Sequence, residues 1–178
     1  DALPPEVVRE VRTQAHLGNI AKRVADQGKL TAYLRTVPEE ELGRRVVLAA
    51  ARALVNQGGE LEAQKLIESV LDSVENKEWQ PELLVIYGRL TGSEQTARIA
   101  KAEGWLRQHP EDARLLEALG RMCLRQRLWG KAQSYLEAAL AVDPSQQAHL
   151  ELARLFDQLQ RTDEANKHYR ASALLDAR

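Results

Sequence analysis

The chain has 178 residues, 44% hydrophobic, 29% charged and 4% aromatic, with 25 Lys and Arg against 26 Asp and Glu. A net charge of -1 with so few aromatics excludes a dedicated nucleic-acid binder, which carries a strongly basic balance and stacking side chains. One cysteine excludes an intrachain disulfide, and no apolar run approaches the roughly 18 residues that span a bilayer.

Pro4 and Pro5 suit a helix start, where the missing N–H is one the first turn leaves unpaired. Val7, Val8, Val11, Ala15, Ile20 and Val24 continue that helix to about Asp26, with Gly18 and Asn19 as its weak point and Gly28 as its stop. Leu30, Tyr33, Leu34 and Val37 form a short amphipathic helix. Pro38 opens the next helix, with Glu39, Glu40 and Glu41 near its positive end. These three carboxylates diverge around the axis, so they complement a helix dipole rather than form an acid–base pair. Helix pairs then turn over near Gly58-Gly59, Thr91-Gly92, Arg127-Leu128 and Gln160-Arg161. No segment alternates as a strand would.

Ala113 to Pro144 carries the strongest pattern. With Ala113 as position 1, Leu116 is at 4, Leu119 at 7, Gly120 at 8, Cys123 at 11, Ala132 at 20, Leu136 at 24, Ala139 at 27 and Pro144 at 32. Small residues at 8 and 20 let two antiparallel helices approach, large apolar residues fill the space between, and the proline ends the second helix. This spacing resembles the tetratricopeptide repeat, with Cys123 and Leu136 where that family prefers aromatics. Arg44 as position 1 brings Val47, Ala50, Ala51, Leu54, Ala63, Ile67 and Val70 onto the same grid, with Gly58 in the turn. Gln146 as position 1 does so for Leu152, Ala153, Phe156, Ala165 and Tyr169. Residues 78–112 form a degenerate unit. Its first helix, around Leu83, Leu84 and Tyr87, is short, and its second keeps Ile99, Ala102, Trp105 and Leu106 on one face before Pro110.

The expectation is an all-α fold, an α-solenoid of antiparallel helix pairs forming a right-handed superhelix. It is expected to be a single domain over 1–178: N-terminal helices 1–43 and repeats 44–77, 78–112, 113–145 and 146–178.

The chemistry of catalysis is not legible. His16, His109, His149 and His168 are scattered, with no metal-ligand spacing to another His, Cys or carboxylate. There is no GxSxG, Ser134 and Ser145 have no evident base, and Gly58-Gly59 is a turn rather than a phosphate loop. Cys123 falls on an inward position, so it reads as a buried structural thiol. No cofactor and no catalytic residue is expected.

In the tetratricopeptide family, positions 2, 5, 9, 12 and 13 of each first helix line the concave face. Here they are Arg45, Leu48, Arg52, Val55 and Asn56; Arg114, Glu117, Arg121, Leu124 and Arg125; and Gln147, Leu150, Arg154, Asp157 and Gln158. Six arginines against two carboxylates would make a basic, partner-binding groove of Arg45, Arg52, Arg114, Arg121, Arg125 and Arg154, suited to bidentate contact with carboxylates. The alternative is that these arginines pair with Glu and Asp on neighbouring helices. Arg121 and Arg125 lie four apart on one face, so their loss is expected to weaken binding and spare the fold.

LLVIYGRL (83–90), HPEDARLLEALGRMCLRQRLWGKAQSYLEAAL (109–140) and ELARLFDQLQRTDEANKHYRASAL (151–174) together resemble the C-terminal part of the HemY-type tetratricopeptide proteins of proteobacterial haem-biosynthesis operons. The resemblance implies an inner-membrane anchor, absent here, with the repeats facing the cytoplasm, and a role late in porphyrin and haem synthesis. The chain begins at Asp1 rather than Met and shows no signal peptide, which suggests a fragment whose anchor lies outside it. The resulting expectation is a non-enzymatic scaffold for a protein or peptide, haem-pathway enzymes among them. The alternative is a porphyrin or haem carrier, with groove arginines meeting propionates and Trp105, Trp129 or Tyr87 offering a ring face.

Overall fold

The computed structural model describes residues 3–73, 79–92 and 94–176. Among them are ten α-helices, one 3-10 turn and no strand. The helices are α1 (Pro5–Ala21), α2 (Gln27–Leu34), α3 (Arg44–Asn56), α4 (Glu60–Leu71), α5 (Pro81–Arg89), α6 (Gln95–Leu106), α7 (Ala113–Arg125), α8 (Trp129–Val142), α9 (Gln146–Gln158) and α10 (Thr162–Asp176). None of the described helices is long and apolar enough to cross a membrane. The architecture is the α-solenoid that the repeat spacing calls for.

The chain divides into two compact units, residues 1–92 and 93–178, so the division falls inside the degenerate repeat. In the first unit α3 packs on α4, α1, α2 and α5; in the second α7 pairs with α8 and α9 with α10, while α6 lies on α7 and α8 on α9. The repeat boundary expected at residues 77–78 lies outside the described residues.

The grid holds at the level of backbone. Each first helix of the three clear repeats, α3, α7 and α9, is 13 residues long and occupies positions 1 to 13. At position 15 the backbone turns left-handed each time: Gly58 has φ 78, Arg127 φ 56 and Gln160 φ 57. The next N–H then reaches back to the carbonyl at position 11, Gly59 to Leu54 at 2.8 Å, Leu128 to Cys123 at 2.9 Å and Arg161 to Phe156 at 2.8 Å. This six-to-one closure satisfies carbonyls that a helix end leaves without partners, and it sets the angle at which the second helix departs.

The N-terminal helices differ from expectation. α1 stops at Ala21, where Lys22 N–H bonds Gly18 and Arg23 N–H bonds Ile20 in a tightened last turn. Asp26 then takes an extended conformation and its carboxylate accepts from Lys29 N–H at 3.0 Å. That cap starts α2 at Gln27, so Gly28 sits in a first turn instead of ending a helix. Glu39–Glu41 form a single 3-10 turn, and α3 starts at Arg44, after Gly43. Glu41 is not a dipole complement: its carboxylate accepts from Arg12 Nη1 and from His16 Nε2, both at 2.8 Å, tying the turn to α1.

Burial otherwise follows the grid, except that Val70 at position 27 of the first repeat is only half-buried. Val46, Val47, Ala50, Ala51, Leu54, Ala63 and Ile67 are buried in the first unit, and Leu115, Leu116, Leu119, Cys123, Ala132, Leu136, Ala139, Leu152, Ala153, Phe156 and Ala165 in the second. The degenerate unit keeps Leu83, Leu84 and Tyr87 inside on α5, and Ile99, Ala102 and Trp105 inside on α6. α5 is short because Leu90 leaves the helix; Glu60 takes up the N–H groups of Thr91 and Gly92, both at 2.8 Å. Tyr169, at position 24 of the last repeat, is 38% exposed and donates its hydroxyl to Asp157, whereas Leu136 at that position is fully buried.

Candidate functional site

In the first unit, α3 and α5 together wall a cavity of about 400 Å³. α3 contributes Arg52, Val55 and Asn56, which are positions 9, 12 and 13 of its repeat; α5 and its end contribute Glu82, Val85, Ile86, Arg89 and Leu90. The amphipathic spacing explains the placement: the α3 residues buried toward α4 and α1 leave 52, 55 and 56 on the opposite face. α5 supplies aliphatic side chains to the cavity, Val85 and Ile86 half-buried and Leu90 buried at its base. Glu82 stays below the ordinary carboxylate range, first through a hydrogen bond from its own backbone N–H and then through the charges of Arg44 and Arg52, with burial opposing. Arg44 pairs directly with Glu82. Arg52 is exposed and stands at the cavity wall beside these aliphatic groups. Such a site is suited to an apolar side chain below and a carboxylate at its rim.

Arg45, the other arginine expected in the groove of this unit, points elsewhere. Its Nη1 donates to both oxygens of Glu10 on α1, at 2.9 and 3.2 Å.

In the second unit the expected arginines are gathered by carboxylates. Arg121 is 7% exposed and donates from Nε to Glu151 at 2.8 Å, with Nη2 3.5 Å from Glu117. Arg114 lies 3.4 Å from Glu117 and Arg154 3.5 Å from Glu151. Ser145 Oγ donates to Glu117 at 2.9 Å while capping α9 through Ala148 N–H, and Gln147 donates to Glu151 at 3.0 Å. The result is an alternating row, Arg114, Glu117, Arg121, Glu151, Arg154, across α7 and α9. Within it, only the two end arginines are open to water. The expectation that Arg121 belongs to a solvent-facing groove therefore gives way to a buried structural role, because two carboxylates more than nine-tenths buried need a cation between them. Arg125 is exposed at the end of α7.

Repeat spacing did not reveal Glu151, which falls at position 6 and so off the concave positions. Its separation from Arg154, three residues on, was the visible signal. Nor did spacing single out Arg98, which is 1% exposed on α6.

Histidines apart in sequence come together in space. His149 Nδ1 and His168 Nδ1 are 2.9 Å apart between α9 and α10. In the first unit the Tyr33 hydroxyl lies 2.6 Å from His16 Nδ1, whose Nε2 reaches Glu41. No group of three or more His, Cys, Asp or Glu side chains among the described residues could hold a metal. Cys123 is fully buried and burial pushes its thiol up to about 11. Tyr87 and Trp105 are core residues, with the Tyr87 hydroxyl donating to Glu68 at 2.7 Å, so neither presents a ring face to a ligand; Trp129 is partly exposed at the start of α8.

No protein-family model matches the chain, and no curated protein sequence matches it. Several solved structures do match. A thermophilic tetratricopeptide protein of Thermus thermophilus is 18% identical, with a TM-score of 0.63 over 92% of this chain and 89% of its own. MamA of Desulfovibrio magneticus RS-1 is 15% identical, with a TM-score of 0.59 over 93% and 96%. MamA of strain MSR-1 is 14% identical, with a TM-score of 0.58 over 96% and 98%. At these identities the likeness is one of fold, the tetratricopeptide solenoid.

Proposed function

We propose that this protein is a non-enzymatic interaction scaffold that seats a segment of a partner protein in the α3–α5 cavity. The observation that carries the reading is that cavity's composition: Val55, Val85, Ile86 and Leu90 beside the exposed guanidinium of Arg52. An extended segment with an aliphatic side chain and a neighbouring carboxylate complements it in shape and charge. Arg114, Arg125 and Arg154, on the first helices of the second unit, keep their guanidinium groups within reach of water and extend the same chemistry within that unit.

The sequence resemblance to the HemY-type proteins supplies the partner class. On that resemblance the partners are enzymes of late haem synthesis, and the full-length protein is anchored in the bacterial inner membrane with its repeats in the cytoplasm. The porphyrin-carrier alternative is weaker, since two of the three aromatics it relies on are buried.

The test is in-cell crosslinking of the membrane-anchored protein, followed by identification of the captured chains, for wild type and for Arg52→Glu. Wild type should recover a haem-pathway enzyme, and Arg52→Glu should lose it with an unchanged melting temperature. Equal recovery by both would remove the cavity from the reading. Recovery of other proteins alone would remove the haem assignment.

A further inference from the structure

We propose that His149 and His168 form an acid-sensitive latch that holds α10 on α9, independent of any partner in the α3–α5 cavity. The two Nδ1 atoms stand 2.9 Å apart, and both side chains are partly buried. At that distance one Nδ1 must carry the proton and the other must present its lone pair. Two neutral rings satisfy this, and so does a pair holding one extra proton. Two cationic rings cannot, because both Nδ1 atoms are then donors and like charges meet at contact distance. Two imidazoles are too few for a structural metal site, and no third ligand stands with them among the described residues.

The surroundings bias the pair toward neutrality. His168 stacks on Phe156, with ring centroids 5.5 Å apart, and Arg161 lies 4.7 Å over the same Phe156 ring. The charged groups acting on His168 are His149 on α9, Lys167 and Glu164 on α10, and Glu137 on α8. The carboxylates favour protonation, but Arg161 already pairs with Glu164 and burial is the larger influence. Burial alone holds His149 below the ordinary histidine range, and burial, then His149, hold His168 below it.

The sign follows from proton counting. Both folded values lie below the ordinary value of 6.5, so the open state binds more protons once the pH falls under about 6.5. The closed pair therefore loses stability as the pH falls through that window. Opening would separate α10 from α9, Phe156 included, while the α7–α8 pair keeps its own contacts.

The test uses hydrogen exchange of the 178-residue chain at about pH 7.5 and about pH 5, each corrected for the intrinsic exchange rate. Protection in 162–176 should fall relative to α7, by up to about tenfold per pH unit for each proton taken up. Each single variant, His149→Asn or His168→Asn, should keep only part of that relative change, and the double variant should lose it. An NMR titration of the wild-type histidine ring protons is the second measurement: the pair should titrate in two separated steps, the lower one below the ordinary histidine range. Equal α10 protection at both pH values, acid loosening that persists undiminished in the double variant, or two independent titrations at the ordinary value would each overturn the latch.

Discussion

A Cβ built on Gly120 would lie 2.5 Å from Cγ and 2.7 Å from Cδ2 of Leu136, so α7 and α8 approach as closely as they do only because position 8 of this repeat carries no side chain. Leu136 fills that space and is fully buried. Gly120→Ala should therefore lower stability by about 1–3 kcal/mol through overpacking, and Gly120→Leu by more. In urea unfolding, Gly120→Ala combined with Leu136→Ala should show a coupling energy, because the second truncation makes room for the first. Strictly additive effects would mean the two residues do not meet.

Arg121 gives the second prediction. Removing the guanidinium leaves Glu117 and Glu151 buried without the cation that lies between them. Breaking a buried pair in this way costs about 3–5 kcal/mol, so Arg121→Ala should melt early. Arg125→Ala, on an exposed side chain at the end of the same helix, should leave the melting temperature within a degree or so of wild type, by about the ±0.5 kcal/mol expected of a surface change. Equal melting of the two variants would contradict the buried row.

The third concerns position 15. Arg127 and Gln160 hold left-handed φ values that Gly58 holds without steric cost. Arg127→Gly and Gln160→Gly should each be neutral or stabilise by up to about 1 kcal/mol, the relief of the left-handed conformation being offset by greater freedom in the unfolded chain. Gly58→Ala should destabilise by about 1 kcal/mol. Thermal melts of the three single variants decide it, and the opposite order would sink the shared-turn account.

Cys123 supplies a pH prediction. Burial raises its folded value from 9.0 to about 11, so the unfolded thiol releases its proton first. The stability this group contributes is complete below about pH 9 and declines as the pH rises toward about 11. Thiol labelling at neutral pH should be slow and should accelerate with urea in step with unfolding. Cys123→Ala should shrink the alkaline loss of stability.

Binding at the α3–α5 cavity should depend on salt, since the Arg52 guanidinium is exposed and its field is screened over about 10 Å at roughly 0.1 M. A bound peptide carrying a carboxylate should weaken with added salt. The salt slope should flatten in Arg52→Gln. An unchanged slope would place the carboxylate elsewhere.

The repeat register was legible from the residues alone, because it is written in local spacing. Small residues at 8 and 20, apolar residues at 7 and a turn at 15 follow from helix period and van der Waals size, and all three clear repeats keep to them, whereas the last repeat carries His149 at position 4 and the partly exposed Tyr169 at 24. The same spacing marked Gly120 as a close approach and Cys123 as an inward thiol. The N-terminal helices were less legible, because a single Asp26 cap and the Glu41 contact to Arg12 and His16 outweighed the apolar run that pointed past them. Which arginines remain available was settled by the packing of one helix on another. Arg52 and Arg121 occupy the same repeat position, yet Arg52 lines a cavity and Arg121 is buried between Glu117 and Glu151. The meeting of His149 with His168, 19 residues away, was equally out of reach of spacing. Helix period fixes which side of a helix a residue occupies, but charge pairing depends on how far one helix slides along the next. A shift of a few ångströms there changes which partner lies within hydrogen-bond reach.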